Sequence, residues 1–292
     1  MPRRWNVGVA VALVFLSLSA CGIWPGSGST VRTAQLPDGG VEHVHGLDVD
    51  PADGVLYAAT HYGLFRIPGQ GKPTRVANRM QDTMGFTIVG PKTFLGSGHP
   101  DALMEPDLPP RLGLMRSTDA GQSWKSVSLS GQADFHALRR AHGTIYGWDS
   151  DTSRLMVSPD NGVTWQLRAI LDLADFVVGP DDPRVLFATT ERGLLRSSDA
   201  GRSFQPSRGP ALAVLAWKRP DNLVGLDTGG ALYASADGGR SWTKRGSLGG
   251  SPEAITTDKN SLYAAVAHKG IFASIDGGRT WTLRYNGSPA AG

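Results

Sequence analysis

One eight-residue pattern recurs along the chain, and it constrains the fold more than any other feature of the sequence. The pattern reads Ser, any residue, Asp, any residue, Gly, any residue, Ser or Thr, and then an aromatic residue. Its aspartates are Asp119, Asp160, Asp199, Asp237 and Asp276, at steps of 41, 39, 38 and 39 residues. A fixed period of this size predicts a fold built from repeated units.

Each residue type in the pattern has a physical role in a tight turn. The Asp carboxylate accepts hydrogen bonds from nearby backbone N–H groups, and the Gly adopts backbone angles that other residues resist. The Ser or Thr hydroxyl is a second local hydrogen-bonding group. The aromatic residue is Trp in four copies and Phe204 in one. We expect it to begin a strand and to direct a large ring inward.

The pattern resembles the Asp box, or bacterial neuraminidase repeat, of sialidases, sortilin-type receptors and photosystem II assembly factors. The resemblance covers residues 41–286. It implies that each copy, called a box below, is a hairpin on the outside of a β-propeller blade. It also implies that the box residues are structural and not catalytic.

Six similar units of roughly 40 residues follow one another between residues 41 and 286. Each unit contains four short alternating segments, which unit four shows at Phe176–Val178, Arg184–Thr189, Gly193–Ser197 and Ser203–Gln205. Unit one has no box, and Lys72–Val76 is expected to form its outer strand. The sequence therefore predicts an all-β fold, a single six-bladed β-propeller with box hairpins. It does not indicate how the ring closes.

Residues 1–20 are typical of a bacterial lipoprotein signal peptide. Arg3 and Arg4 precede an apolar run from Val7 to Leu18, which is too short to span a bilayer. The run ends in Leu-Ser-Ala-Cys, which resembles a lipobox and implies cleavage before Cys21 and lipid attachment to its thiol. The expected location is the extracytoplasmic side of the cell membrane, with the lipidated Cys21 as the anchor.

Composition separates the remaining segments and excludes some functions. Residues 21–40 are rich in Gly, Ser and Pro and are typical of a flexible tether, and residues 287–292 are expected to form a short tail.

Cys21 is the only cysteine, so the chain has no disulfide and no cysteine-based metal site. The formal charge of +3 falls to about +1 once the signal peptide is removed. That charge does not favour a nucleic-acid partner.

Propeller topology predicts where the seven histidines lie. The first strand of each blade begins at one face of the ring, and the loop after the second strand returns to that face. Only His142 maps to the opposite face. The histidines that map to the first face are His43, His45, His61, His99, His136 and His268. We therefore expect a histidine-rich rim contributed by blades six, one, two and three.

Other metal-binding groups map to the same rim. The candidate ligand-binding residues are Asp82, Met84, Asp101 and Asp134. Imidazole with carboxylate suits zinc, and imidazole with thioether suits copper. The sequence thus predicts a transition-metal site whose candidate ligands are His43, His45, His61, His99 and His136. Two other interpretations stay open: a polar network that fills the channel and binds only water, and histidines that each cap their own loop.

A glycoside hydrolase is an alternative function. The segments His43–Leu47, Arg79–Phe86, Gly96–Asp101 and Asp134–Leu138 look similar to a lipoprotein branch of the sialidase-like glycosyl hydrolase grouping. A glycan is then the expected ligand. The candidate acid and base residues are Asp82, Asp134 and Glu253.

The arginines argue against a sialidase. The resemblance implies three arginines on the substrate carboxylate, and Phe65-Arg-Ile-Pro68 matches the motif that presents the first of them. That motif maps to the third strand of blade one, where Arg66 is expected to face the blade flank. The sequence therefore favours a binding function over turnover.

A scaffold for another exported protein is a third possibility, which the resemblance to photosystem assembly factors implies. The loop from His99 to Pro110 is an insertion in blade two, and four prolines stiffen it. We expect it to overhang the channel mouth like a lid. This loop and the blade flanks are the candidate partner-binding surfaces.

Overall fold

The computed structural model describes residues 40–287. The predicted signal peptide, the lipidated Cys21, nearly all of the tether and residues 288–292 lie outside the described residues. Within residues 40–287, no helix has the length and apolar character needed to cross a membrane.

Six four-stranded antiparallel sheets form the described part of the chain. Each sheet uses four strands that are consecutive in sequence, so each sheet is one blade. Blade one has β1 (Val44–Val49), β2 (Leu56–Thr60), β3 (Gly63–Ile67) and β4 (Thr74–Arg75). Blade two has β5 (Asp82–Gly90), β6 (Thr93–His99), β7 (Leu114–Ser117) and β8 (Lys125–Ser128). Blade three has β9 (Phe135–Ala141), β10 (Thr144–Asp149), β11 (Arg154–Ser158) and β12 (Gln166–Ile170).

The other three blades repeat this order. Blade four has β13 (Asp175–Val178), β14 (Leu186–Thr190), β15 (Gly193–Ser197) and β16 (Gln205–Pro206). Blade five has β17 (Val214–Trp217), β18 (Leu223–Leu226), β19 (Ala231–Ser235) and β20 (Thr243–Ser247). Blade six has β21 (Pro252–Asp258), β22 (Ser261–Val266), β23 (Gly270–Ser274) and β24 (Thr282–Tyr285). The 3₁₀ turn Val76–Asn78 links blades one and two. The predicted all-β, six-bladed propeller is confirmed.

The ring closes by packing, because each blade is complete in itself. No strand is exchanged between blade six and blade one among the described residues. Instead, β1 lies against β21, and one apolar cluster joins the two blades. Leu47 and Phe65 of blade one share that cluster with Ala265 and Ile271 of blade six.

An apolar cluster fills each of the six interfaces between blades. The aromatic residue of each box packs into the interface with the preceding blade. These residues are Trp124, Trp165, Phe204, Trp242 and Trp281. The inward direction predicted for the aromatic ring is therefore confirmed, and the box stabilises the contact between blades as well as its own turn.

The hydrogen bonds of the boxes follow one scheme, shown here for the first copy. Asp119 accepts the backbone N–H of Ser123 at 2.9 Å and the Ser123 hydroxyl at 2.6 Å. The Ser117 hydroxyl donates to Asp119 at 2.7 Å and accepts the N–H of Gly121 at 2.8 Å. The close approach requires glycine: a Cβ on Gly278, the equivalent residue of the last box, would lie 1.9 Å from a methyl carbon of Leu232.

These hydrogen bonds make the boxes sensitive to acid. Hydrogen bonds from Ser123 and Ser117 lower the pKa of Asp119 to about 2, and those from Thr164 and Ser158 lower the pKa of Asp160 to about 2. The folded pKa lies below the unfolded value of about 3.9. The stabilisation is therefore present above pH ~4 and is lost as the pH falls toward the folded pKa.

We expect the double variant Asp119→Asn/Asp160→Asn to have a lower melting temperature than wild type at pH 7. Its melting temperature should also fall less between pH 4 and pH 2, because two of the carboxylates that must be protonated are gone. Thermal unfolding followed by circular dichroism across this range measures both effects. Parallel curves for the two proteins would contradict the assignment.

Candidate metal centre

A β-bulge interrupts the inner strand at the same point in blades six, one, two and three. The extra residue is Glu253 in blade six, His45 in blade one and His136 in blade three. In blade two, the pair Met84–Gly85 stands opposite one residue of β6. The inner strands of blades four and five pair with their neighbours without such a shift. Bulges redirect side chains. The same bulge therefore redirects the side chain at the start of the inner strand in four adjacent blades.

His45, His61 and Asp82 form the first cluster on this rim. Asp82 begins β5, and His61 follows β2 in a turn that the Thr60 hydroxyl shapes by accepting the N–H of Tyr62 at 3.0 Å. The His45 Nε2 atom lies 3.4 Å from Asp82 Oδ1, and His61 Nδ1 lies 3.1 Å from Asp82 Oδ2. One ligand atom from each residue falls within 4.8 Å of the other two.

Two atoms of this cluster are buried without a hydrogen-bond partner among the described residues. They are His45 Nε2 and Asp82 Oδ1, the two atoms that face each other. A buried polar atom without a partner costs about 1–3 kcal/mol. A cation bonded to both atoms would compensate for this cost.

The spacing of these atoms fits a small metal ion. Two atoms that each bond a tetrahedral ion at about 2.0–2.2 Å are about 3.3–3.6 Å apart. The separation of 3.4 Å between His45 Nε2 and Oδ1 lies in this range. The separation of 3.1 Å between His61 Nδ1 and Oδ2, the other oxygen of Asp82, is slightly below it. The approach of the strands depends on Gly98, because a Cβ there would lie 2.1 Å from the carbonyl oxygen of Asp82.

His99, His136 and Asp134 form the second cluster. The His136 Nε2 atom lies 2.8 Å from Asp134 Oδ2, and His99 Nε2 lies 3.7 Å from the same oxygen. The Ser150 hydroxyl donates to this carboxylate at 3.3 Å. The Asp134 side chain is 5% exposed, and its Oδ1 atom is buried with no hydrogen-bond partner in residues 40–287.

Opposing effects act on the pKa of Asp134. Burial raises it, but the hydrogen bond from His136 and the electrostatic effects of His136 and His99 outweigh burial, so the pKa lies below its usual range. Asp134 is therefore an anion, which suits a ligand or a base and not a general acid.

His43 and Glu253 lie at the blade six end of the rim. The His43 Nδ1 atom is 3.8 Å from Glu253 Oε1, and the His43 ring centre is 6.1 Å from that of His61. His43 is 69% exposed. These two residues line a small cavity with His268. His43 is thus beside the first cluster and more open to solvent than its other members.

The predicted gathering of histidines at one rim is what the structure shows, but they do not meet at a single point. They divide into two clusters around Asp82 and Asp134. His142 lies away from both, in the turn between β9 and β10, where its Nε2 donates to the carbonyl of Gly179 at 2.9 Å. The inner strands enclose a channel of about 600 Å³ that His45, His136 and Glu253 line at the rim.

Asp101 and Met84 differ in their surroundings. The Asp101 carboxylate accepts the N–H groups of Met80, Leu103 and Met104 at 2.9, 3.1 and 3.2 Å, which gives it a structural role in the loop. Met84 is half-buried at the bulge of blade two, the position equivalent to His45 and His136. Binding by either residue stays a prediction.

The insertion from His99 to Pro110 is closed by a contact between its ends, and the residue that follows it contacts blade three. Its end is tied back to its start, because His99 Nδ1 donates to the carbonyl of Pro110 at 2.7 Å. Arg111 then pairs with Asp151 of blade three. Leu103 and Met104 at its tip are 71% and 74% exposed. Its role as a lid or a partner-binding surface stays a prediction.

Sequence reasoning missed three features of the rim: the bulges, the Ser150 hydroxyl and the Pro110 carbonyl. The bulges were hidden because they depend on the pairing register, which the spacing of the segments does not reveal. An available signal was the alignment of the inner strands, where His45, Met84, His136 and Glu253 each precede Gly or Ala.

The arginine positions agree with the sequence argument against a sialidase. Arg66 lies on β3, and its guanidinium pairs with Asp53 at 3.1 Å. Arg79 pairs with Glu105 of the insertion at 3.2 Å. Both are used in contacts within the fold.

Comparison with known proteins finds similarity in structure only. No family model and no curated protein matches the chain. A GH74 enzyme from Niastella koreensis matches 83% of this chain with a TM-score of 0.57 and 15% identity, and the GH74 xyloglucanase from Xanthomonas campestris matches 83% with 0.54 and 20%. This chain covers only 45% of either enzyme.

The similarity is one of fold. A chain from a nidogen/laminin complex matches 75% of this chain, and 88% of its own length, with a TM-score of 0.54 and 15% identity. The GH74 enzymes and the chain from the nidogen/laminin complex thus match about equally well. Function must therefore be argued from the rim.

Proposed function

We propose that this protein is an exported, lipid-anchored propeller that binds a transition-metal ion at the channel rim. The ion is held by His45 Nε2, His61 Nδ1 and a carboxylate oxygen of Asp82. Cys21 attaches the chain to the outer side of the cell membrane. The role is metal binding, with the propeller as a rigid frame for the ligands.

One observation carries this proposal: His45 Nε2 and Asp82 Oδ1 are buried, face each other at 3.4 Å and have no hydrogen-bond partner in the described part of the chain. A metal ion bonded to both atoms would compensate for the cost of burying them. Two imidazoles and one carboxylate suit zinc or copper(II) better than magnesium, which prefers oxygen ligands. Three protein ligands leave a position open for water or another ligand.

Metal content tests the proposal. We expect the mature protein, incubated with Zn²⁺ or Cu²⁺ and then passed through a desalting column, to retain at least one ion per chain. The same treatment with Mg²⁺ should leave none. Elemental analysis by mass spectrometry measures both. Zinc and copper contents near zero would remove the proposal.

A glycoside hydrolase is the second candidate, favoured by the GH74 neighbours and by the three carboxylates on one rim. Each of these carboxylates lies beside a histidine, and Glu253 also accepts the N–H of Val44 at 3.2 Å. The low pKa of Asp134 also leaves it unsuited as the acid.

A glycoside panel that includes xyloglucan discriminates the two functions. We expect no sugar release that depends on these carboxylates. Turnover by wild type that is lost in both Asp82→Asn and Asp134→Asn would favour the hydrolase. Retained zinc binding with no turnover would favour the metal centre.

A further inference from the structure

We propose that the insertion of blade two positions the metal ligand Asp82, with Asp101 as the main positioning residue. The inference rests on the proposed function, because it concerns how one ligand of the same centre is held. It assigns the insertion a role in the affinity of the centre. Asp101 is not a ligand in this arrangement, because its carboxylate bonds to backbone groups and acts on Asp82 through the chain.

Asp101 connects the insertion to the segment that leads into β5. Its side chain is buried, and its Oδ2 atom accepts the N–H of Met80 at 2.9 Å. Its Oδ1 atom accepts the N–H groups of Leu103 and Met104 at 3.1 and 3.2 Å. Met80 lies two residues before Asp82. Hydrogen bonds to an ionised carboxylate are stronger than those between neutral groups, so one buried side chain fixes the approach of the chain to the metal ligand.

An ion pair forms a second connection beside the first. Arg79 Nη2 lies 3.2 Å from Glu105 Oε1, and the two side chains are 25% and 23% exposed. The Glu105 N–H donates to the carbonyl of Asp101 at 2.7 Å, so both connections come from one turn of the insertion. The insertion therefore holds two consecutive residues, Arg79 and Met80, close before Asp82.

The ends of the insertion are fixed on the strand that pairs with Asp82. Asp82 and His99 are direct partners across β5 and β6, and His99 is the first residue of the insertion. The His99 ring donates to the carbonyl of Pro110 at 2.7 Å, and the N–H of Leu112 donates to the carbonyl of Gly98 at 2.9 Å. Asp82 is thus held both through the residues before it and through its partner strand.

The position of Asp82 matters because the three ligands come from two blades. His45 and His61 belong to blade one, and Asp82 begins the inner strand of blade two. Its oxygens lie 3.4 and 3.1 Å from the two histidine nitrogens. Binding sites require their ligands within about 0.5 Å of the productive geometry. Loss of an outer partner that orients a ligand costs about 10–100-fold in metal affinity.

Zinc affinity in matched variants tests the inference. Asp101→Ala removes the buried carboxylate, and Asp107→Ala removes an exposed carboxylate from the same insertion. We expect Asp101→Ala to raise the dissociation constant for Zn²⁺ about tenfold, and Asp107→Ala to match wild type. Arg79→Met breaks the second connection at a partly exposed position and should raise the constant up to about fivefold. Competition titration with a chromophoric zinc chelator measures all four proteins.

Two further measurements separate positioning from a general effect on folding. The absorption spectrum of bound Co²⁺ reports the coordination geometry, and we expect it to change in Asp101→Ala and to stay the same in Asp107→Ala. Thermal unfolding without metal reports the stability of the fold alone. A lower melting temperature in Asp101→Ala with wild-type zinc affinity and Co²⁺ spectrum would overturn the inference. If Asp101→Ala does not fold, Arg79→Met tests the inference by the same readouts.

The outcomes also separate this inference from the proposed function. Zinc binding by wild type that is equally tight in Asp101→Ala and Arg79→Met would overturn the positioning role and leave the metal centre intact. A loss of affinity in Asp107→Ala as large as that in Asp101→Ala would overturn the assignment to Asp101. No zinc binding by any of the four proteins would remove the proposed function and the inference together.

Discussion

Replacing His45 or His61 with alanine is expected to weaken zinc binding at the cluster of His45, His61 and Asp82 more than 100-fold. Loss of an outer partner of a metal ligand costs about 10–100-fold in affinity, and loss of a ligand itself should cost more. Each variant keeps Asp82 and one histidine, so two of the three candidate protein ligands remain. Calorimetric or competition titration with Zn²⁺ measures the change.

The thermal stability of the same proteins provides an independent readout. A ligand that binds only the folded state stabilises it by about 2.7 kcal/mol at 100 times its dissociation constant. Zinc should therefore raise the melting temperature of wild type and of His142→Ala, and raise it less in His45→Ala and His61→Ala. If the cluster were only a polar network, zinc would leave all four melting temperatures unchanged.

Replacing Arg139 with methionine should destabilise the fold by about 3–5 kcal/mol, the usual cost of removing one partner of a buried ion pair. Asp175 begins the inner strand of blade four and is buried, and its carboxylate lies 2.5 Å from Arg139 Nη2. It also accepts the N–H of Leu215 in blade five at 2.8 Å. The pair thus connects three blades at the channel. Urea unfolding at pH 7 measures the loss.

The pH dependence of the stability of Arg139→Met shows whether loss of the ion pair with Asp175 causes the destabilisation. Burial raises the pKa of Asp175 despite the opposing charge of Arg139. Without the arginine, the folded pKa rises further, so the variant gains stability at low pH and loses it as the pH rises through that pKa. The deficit of Arg139→Met should therefore shrink as the pH is lowered from 7 toward the unfolded pKa of about 3.9. The exposed neighbour Arg140→Met should stay within about 0.5 kcal/mol of wild type, and an equal deficit in both variants would contradict the ion pair.

The repeat architecture could be predicted because it depends on interactions between residues that are close in sequence. Each box needs Asp, Gly and Ser or Thr at fixed offsets, and the period between boxes gives the size of a blade. Even the outer strand of blade one, which has no box, was predicted at Lys72–Val76 and is observed at Thr74–Arg75. Ring closure was not predictable, because it depends on the packing of Leu47 and Phe65 against blade six and not on a motif.

The rim could be predicted only in part. Topology places the start of every inner strand at one face, and this is enough to bring the histidines together. It does not give the register, so the division into clusters around Asp82 and Asp134 was not visible. The bulges at His45 and His136 and the tautomer of His99 are set by contacts between strands that are distant in sequence.

The most direct measurement is anomalous diffraction at the zinc absorption edge from crystals of the zinc-loaded protein. A metal centre at the rim predicts an anomalous peak at about 2.0–2.2 Å from His45 Nε2, His61 Nδ1 and an oxygen of Asp82. A map with these three side chains well ordered and no anomalous peak within bonding distance of them would contradict it.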